Sequence, residues 1–181
     1  MLQQAGLVFD TAAPQVDEAA EKALRPKRSA ETLAQDLARL KAEGVSRLAP
    51  DALVIGSDQV LVCEGRLFDK PKDRAEAHTH LKALRGREHR LVTAVALAQD
   101  GRVDWAHVEE ARLVMRPISD AFLETYLDAL GARALATVGA YEIEGLGAQL
   151  LERVEGDHTV VRGLPLFAVL AELRRRGVLA S

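Results

Sequence analysis

The sequence predicts an α/β protein in which helices flank a mixed β-sheet. Amphipathic stripes at helical spacing recur along the chain, several opened by a Ser or Asp suited to capping. Short apolar runs fall between them. Two of these, Arg90 to Gln99 and Val103 to Met115, are long and are separated by Asp100-Gly101, a pair that suits a two-residue hairpin. Helices alternating with strands argue for α/β, while the long hairpin argues against a purely parallel sheet.

In chain order, Glu18 to Arg28 is charged, contains Pro26 and reads as a surface loop or short helix. Ser29 then caps a helix whose stripe is Ala30, Leu33, Ala34, Leu37 and Ala38; the stripe continues to Lys41, a lysine where a core residue was due. Ala52 to Ile55 and Val60 to Cys63 read as two strands separated by polar residues and followed by the turn Glu64-Gly65. Asp73 with Glu76 resembles a capping box, ahead of the stripe Ala77, Leu81 and Leu84 and a closing Gly86. After the hairpin, Ser119 caps a helix carrying Phe122, Leu123, Tyr126, Leu127 and Leu130, which Gly131 ends. Gln149 to Val154 reads as a strand. Pro165 at the first helical position opens a last helix with Leu166, Val169, Leu170 and Leu173 inward, and Arg174-Arg175-Arg176 in its last turn suit the helix dipole and solubility.

No repeat, low-complexity tract or linker divides residues 1–181, so one domain is expected. A chain with 48% apolar and 28% charged residues lies outside the disordered regime, and a net charge of -3 excludes the basic footprint of a general nucleic-acid binder. Cys63 has no second cysteine to pair with and reads as a small core residue; no stretch resembles a membrane span or a secretion signal, so the cytosol is the expected compartment.

The chemistry-bearing candidates begin with Gly56-Ser57-Asp58-Gln59, where Asp58 sits between two apolar runs and a carboxylate is uncomfortable buried alone. Glu18, Lys41 and Lys70, the last followed by Pro71, supply a further carboxylate and two ammonium groups. Such a mixture suits nucleotide hydrolysis, because carboxylates bind a divalent ion and orient water while lysines neutralise phosphate oxygens. Each residue also has an ordinary reading: an Asx-turn aspartate, a lysine reaching past a helix edge, an exposed turn lysine, a solvated acid. Gly139-Ala140-Tyr141-Glu142-Ile143-Glu144-Gly145-Leu146-Gly147 either wraps a flat ligand or is a turn-rich connection in which Tyr141 fills core. His78 and His80, two apart on a helix, point in different directions and do not make a metal pair.

Taken together these segments resemble the Maf family of nucleoside-triphosphate pyrophosphatases. The matching stretches, in order, are Val16-Asp17-Glu18, Leu37 to Ala42, Ile55 to Val60, Lys70-Pro71, Gly86-Arg87-Glu88-His89, Gly139-Ala140-Tyr141 with Glu144 to Gly147, and Gly163-Leu164-Pro165-Leu166. The resemblance implies an elongated two-lobed fold shared with inosine-triphosphate pyrophosphatases, hydrolysis of a nucleoside triphosphate between the α and β phosphates, a Mg²⁺ or Mn²⁺ cofactor and a homodimer. It implies Asp58 as the acceptor of water's proton, Glu18 and Asp58 as metal-binding acids, and Lys41 and Lys70 as phosphate-binding residues. Gln59 and Glu144 resemble a subgroup acting on 7-methyl-GTP rather than on dTTP or UTP. A carboxylate at Glu144 accepts hydrogen bonds from the N1–H and N2–H₂ edge of guanine, a pattern that uracil and thymine lack.

The family's opening strand and Ser-x-Ser-x-x-Arg phosphate loop have no counterpart here, since Met1 to Phe9 resembles only the helix that follows them. A start placed too far downstream is the favoured expectation, with a short form as the other. A catalytically impaired nucleotide-binding or regulatory protein, or an unstable fragment, are the alternatives to an active enzyme.

Overall fold

The computed structural model describes residues 1–24 and 28–180; Pro26 lies outside the described residues. The elements are α1 (Glu18–Leu24), α2 (Ala30–Leu48), β1 (Val54–Cys63), β2 (Arg66–Phe68), α3 (Arg74–Leu84), β3 (Glu88–Gln99), β4 (Arg102–Met115), α4 (Asp120–Leu130), β5 (Leu151–Glu155), α5 (His158–Val161) and α6 (Leu166–Arg175), with short 3₁₀ turns between α4 and β5. Among the described residues no helix is long and apolar enough to cross a membrane.

Three caps form as their side chains require. Ser29 accepts from Thr32 N at 3.2 Å, Asp73 from Glu76 N at 2.8 Å and Ser119 from Phe122 N at 3.1 Å, each satisfying an amide that the first helical turn leaves without a partner. The return bond of the expected capping box goes elsewhere: Glu76 accepts from Lys72 N. Asp100 and Gly101 both take positive φ, which a two-residue hairpin turn between β3 and β4 demands.

The strands form one sheet in the order β2-β1-β3-β4-β5. It is antiparallel rather than mixed, which corrects the sequence expectation. Cys63 Sγ meets Glu88 O, and Ser57 Oγ meets Ala94 O; as β1 advances its neighbours on β3 fall back, so α3 delivers the chain to the end of β1 instead of its beginning. A second correction concerns β1, which runs unbroken through Gly56-Ser57-Asp58-Gln59 where two strands were expected. The final helix begins one residue later than expected, with Pro165 as its N-cap residue. Gln149 lies in a 3₁₀ turn rather than in β5.

The chain divides into two compact units, residues 1–58, 93–109 and 163–181 in one, 59–92 and 110–162 in the other. In the first, Val95, Leu97, Leu164, Val169 and Leu173 form a buried cluster against which Met1, Leu2 and Leu7 pack. The stripe of α2 is buried, Leu37, Ala38 and Ala42 completely. Asp104 and Glu172 both hold Arg176, so the basic end of α6 is fastened by side-chain pairs beyond the dipole effect expected of it. In the second unit, β1 and β3 residues Leu61, Cys63 and Leu91 join the inward faces of α3 and α4, including Leu81, Leu84, Leu123 and Leu127. Cys63 is a core residue, as its strand position implied.

Candidate functional site

A tight charged cluster is built on β1 and α2, joined by the first residue of α1. Gly56 is buried on β1, and a Cβ there would lie 2.6 Å from Ala38 O and 2.6 Å from Ala42 N. Only glycine allows strand and helix backbones this close. The next position of the strand on that same face is Asp58, and it meets Lys41 of α2, which lies between Ala38 and Ala42 in the chain. Lys41 Nζ lies 2.5 Å from Asp58 Oδ1 and 2.7 Å from Glu18 Oε1. The Asp58 side chain is only 9% exposed, so its charge is sustained by the lysine rather than by water.

Three further groups set this geometry. Arg28 joins Glu21 of α1, at 2.7 Å, to Asp36 of α2, at 2.5 Å, and thereby holds the helix that begins with Glu18 against the helix that carries Lys41. Asp17 caps α1 by accepting from Ala20 N at 2.9 Å. Beside Asp58, the Ser57 hydroxyl lies 2.8 Å from Ala94 O and 2.9 Å from Gly163 O, which fixes the strand at the residue before the carboxylate.

Burial raises the Asp58 carboxyl above the ordinary carboxylate value; Lys41 pulls it back and Glu18 adds to the rise. Burial alone lowers Lys41, but its hydrogen bonds to Asp58 and Glu18 outweigh that and leave it above its ordinary value. The result is a firmly charged ammonium facing a carboxylate with a greater appetite for a proton than a surface aspartate has. Oδ2 of Asp58 takes no hydrogen bond among the described residues.

Glu18 and Asp58 also bear on metal binding. Two carboxylates are shared by one ammonium, and no group of three or more His, Cys, Asp or Glu able to hold an ion occurs among the described residues. Such a pair fits Mg²⁺, which is commonly held by one or two carboxylates together with substrate phosphate and water. His78 and His80 do not form a metal pair: His80 is buried edge-on to Phe68, and His78 lies 3.2 Å from Glu124.

The other sequence candidates belong to the second unit. Lys70 is exposed in the connection between β2 and α3, with Pro71 buried beside it, and no carboxylate lies within ion-pair distance among the described residues. Gln59 Nε2 donates to Val160 O at 2.8 Å and to Val161 O at 3.3 Å. Glu144 Oε2 lies 2.7 Å from Arg162 Nε. In the glycine-rich segment Tyr141 fills core, its hydroxyl 2.7 Å from Nε2 of buried His89, while Gly139 leaves room for Leu61 and Gly147 for the Glu142 backbone. The structure thus brings Glu18, Lys41 and Asp58 together and ties Gln59 and Glu144 to residues 160–162. Sequence reading missed Arg28 and Arg162, because neither lies in a pattern; their partners are set by tertiary approach.

A family model described as Maf-like protein matches residues 1–176. A 7-methyl-GTP pyrophosphatase of Rhizobium etli is 45% identical over 181 residues, covering 99% of this chain and 91% of the relative. A nucleoside triphosphate pyrophosphatase of Nitrobacter winogradskyi is 46% identical over 180 residues, with 99% and 89% covered. Another protein of that name, from Paramagnetospirillum magneticum, is 48% identical over 184 residues, with 99% and 93% covered. The chain belongs to the Maf-like protein family.

Proposed function

We propose that this protein is a nucleoside-triphosphate pyrophosphatase, a hydrolase that opens the bond between the α and β phosphates to give a nucleoside monophosphate and pyrophosphate. The observation that carries the reading is Asp58: a nearly buried carboxylate, raised by burial and held at one oxygen by Lys41. The names of relatives at 45% and 46% identity support the same reaction.

Asp58 accepts the proton of the attacking water, for which its raised proton affinity and fixed position suit it. Lys41 faces the charge that develops on phosphate oxygens, and the exposed Lys70 supplies a second cation for phosphate. Glu18 and Asp58 would hold Mg²⁺ or Mn²⁺, which when bound supplies Lewis-acid polarisation of the phosphate. Glu18 further keeps Lys41 from being drawn wholly onto Asp58.

On substrate choice, Glu144 favours 7-methyl-GTP or GTP over dTTP and UTP. A carboxylate matches the donor edge of guanine, and its charge suits the cationic 7-methylated base.

Chromatography of the products from 7-methyl-GTP and Mg²⁺ tests the reaction. Equal amounts of monophosphate and pyrophosphate are expected, and a chelator should stop their formation. Release of a diphosphate and orthophosphate would overturn the bond assignment. For the base, kcat/KM is compared across 7-methyl-GTP, GTP, dTTP and UTP. Glu144→Gln should shrink the guanine preference by roughly ten- to a hundredfold, the worth of one charge-assisted hydrogen bond; a wild-type preference for dTTP or UTP would defeat the guanine reading alone.

A further inference from the structure

We infer that Arg162 is a positioning residue for base selection, holding the Glu144 carboxylate in the orientation that reads the substrate. The inference rests on the role proposed above for Glu144 and extends it to a residue that does not itself touch the base.

Glu144 lies in the glycine-bounded segment after Tyr141, and its side chain is 56% exposed. An exposed glutamate explores many rotamers, and ordering it on a ligand costs conformational entropy. Arg162 removes much of that freedom in advance. Its side chain is 22% exposed and its Nε, 2.7 Å from Glu144 Oε2, is sealed from solvent. That nitrogen makes no hydrogen bond of normal geometry among the described residues, and the charge of the nearby carboxylate compensates for its lost water. The pair therefore differs from an ordinary surface ion pair: one partner cannot relax into solvent without exposing or stranding a buried N–H. With Oε2 engaged, Oε1 of Glu144 remains to accept from a ligand.

The anchor for Arg162 is itself built. Asp157 caps α5 by accepting from Thr159 N at 2.6 Å, which fixes the helix whose end carries Arg162. Gln59 donates its amide hydrogens to Val160 O and Val161 O, the two residues before Arg162. Residues 160–162 thus hold both side chains that the sequence marks for base choice. Gln59 acts on this segment through the backbone, and Arg162 passes its position to Glu144.

The test is kcat and KM for 7-methyl-GTP and UTP in the wild type, Arg162→Met, Arg162→Lys, Glu144→Gln and the Arg162→Met/Glu144→Gln double variant, with Tm measured for each. Arg162→Met should lower kcat/KM for 7-methyl-GTP roughly tenfold, chiefly through KM, while UTP changes by less than about twofold. Arg162→Lys should recover part of the loss, since an ammonium restores charge without the guanidinium geometry. In the Glu144→Gln background the methionine should add little, because its effect passes through the carboxylate. Equal losses on both nucleotides, or a full loss from Arg162→Met after Glu144→Gln, would overturn the inference and leave Arg162 a purely structural residue. If Arg162→Met unfolds, Arg162→Lys alone decides: an unchanged ratio of the two nucleotides overturns the inference, a reduced ratio supports it. A response to Glu144→Gln without one to either Arg162 variant defeats this inference only. Indifference to Glu144→Gln defeats the base reading beneath it.

Discussion

At the scale of single residues, the cluster is a balance of charges that pH can probe. Asp58 accepts a proton only when ionised, and burial, aided by Glu18 and opposed by Lys41, places that ionisation above the ordinary carboxylate range. The acid limb of kcat/KM is therefore expected above the pH at which a surface aspartate titrates. Lys41→Met removes the opposing charge, so the limb should move to higher pH, and turnover should fall by roughly ten- to a hundredfold with the phosphate's counter-charge gone. A limb that stays in place would separate Lys41 from Asp58 in solution. The same raised proton affinity has a sign for stability. The folded chain binds that proton better than the unfolded one, so this group's contribution to folding declines as pH rises through its ionisation.

At the scale of elements, the approach of β1 to α2 decides whether Lys41 reaches Asp58. Gly56→Ala would set a methyl group 2.6 Å from Ala38 O and Ala42 N, and both are backbone atoms that cannot swing aside. Strand and helix must part, at a cost of about 1–3 kcal/mol. Urea unfolding should show that loss, and kcat/KM should fall with it although no charged residue has changed; an unchanged midpoint would mean the two elements can separate freely. Much of this level was legible in the sequence. The caps at Ser29, Asp73 and Ser119 and the stripe from Ala30 to Ala38 are local patterns, and they name their helices correctly. Lys41 stood out because it fell on an apolar stripe. The continuity of β1 was hidden, because Ser57 and Asp58 look like a break until Ala94 O, Gly163 O and Lys41 are seen to satisfy them. Arg28 and Arg162 were hidden for a related reason: an arginine carries no local signature of the carboxylate it will meet. The antiparallel order escaped because alternating helices and strands do not reveal which end of β1 the chain returns to.

For the molecule as a whole, acid should destabilise it through a buried histidine. His89 is buried beside Tyr141, and burial lowers it from its ordinary 6.5 to about 4. Its folded value lies below its unfolded one, so the stability associated with its neutral form is complete above pH 6.5 and is lost as pH falls toward about 4. The span corresponds to about 3 kcal/mol. Urea midpoints measured across that window should decline in the wild type and decline less in His89→Gln, which keeps a hydrogen-bonding group for Tyr141; parallel curves would show that His89 titrates normally. This acid limit concerns folding, whereas the limb set by Asp58 concerns turnover, and Tm measured beside kcat separates them. The proposed role of Asp58 is that of proton acceptor when the folded chain cleaves nucleoside triphosphates. Its most direct measurement is kcat for monophosphate and pyrophosphate formation by Asp58→Asn beside the wild type, with Tm confirming that both are folded. The expected result is a loss of roughly 10²–10⁴-fold at similar Tm; a folded Asp58→Asn protein turning over at the wild-type rate would contradict it.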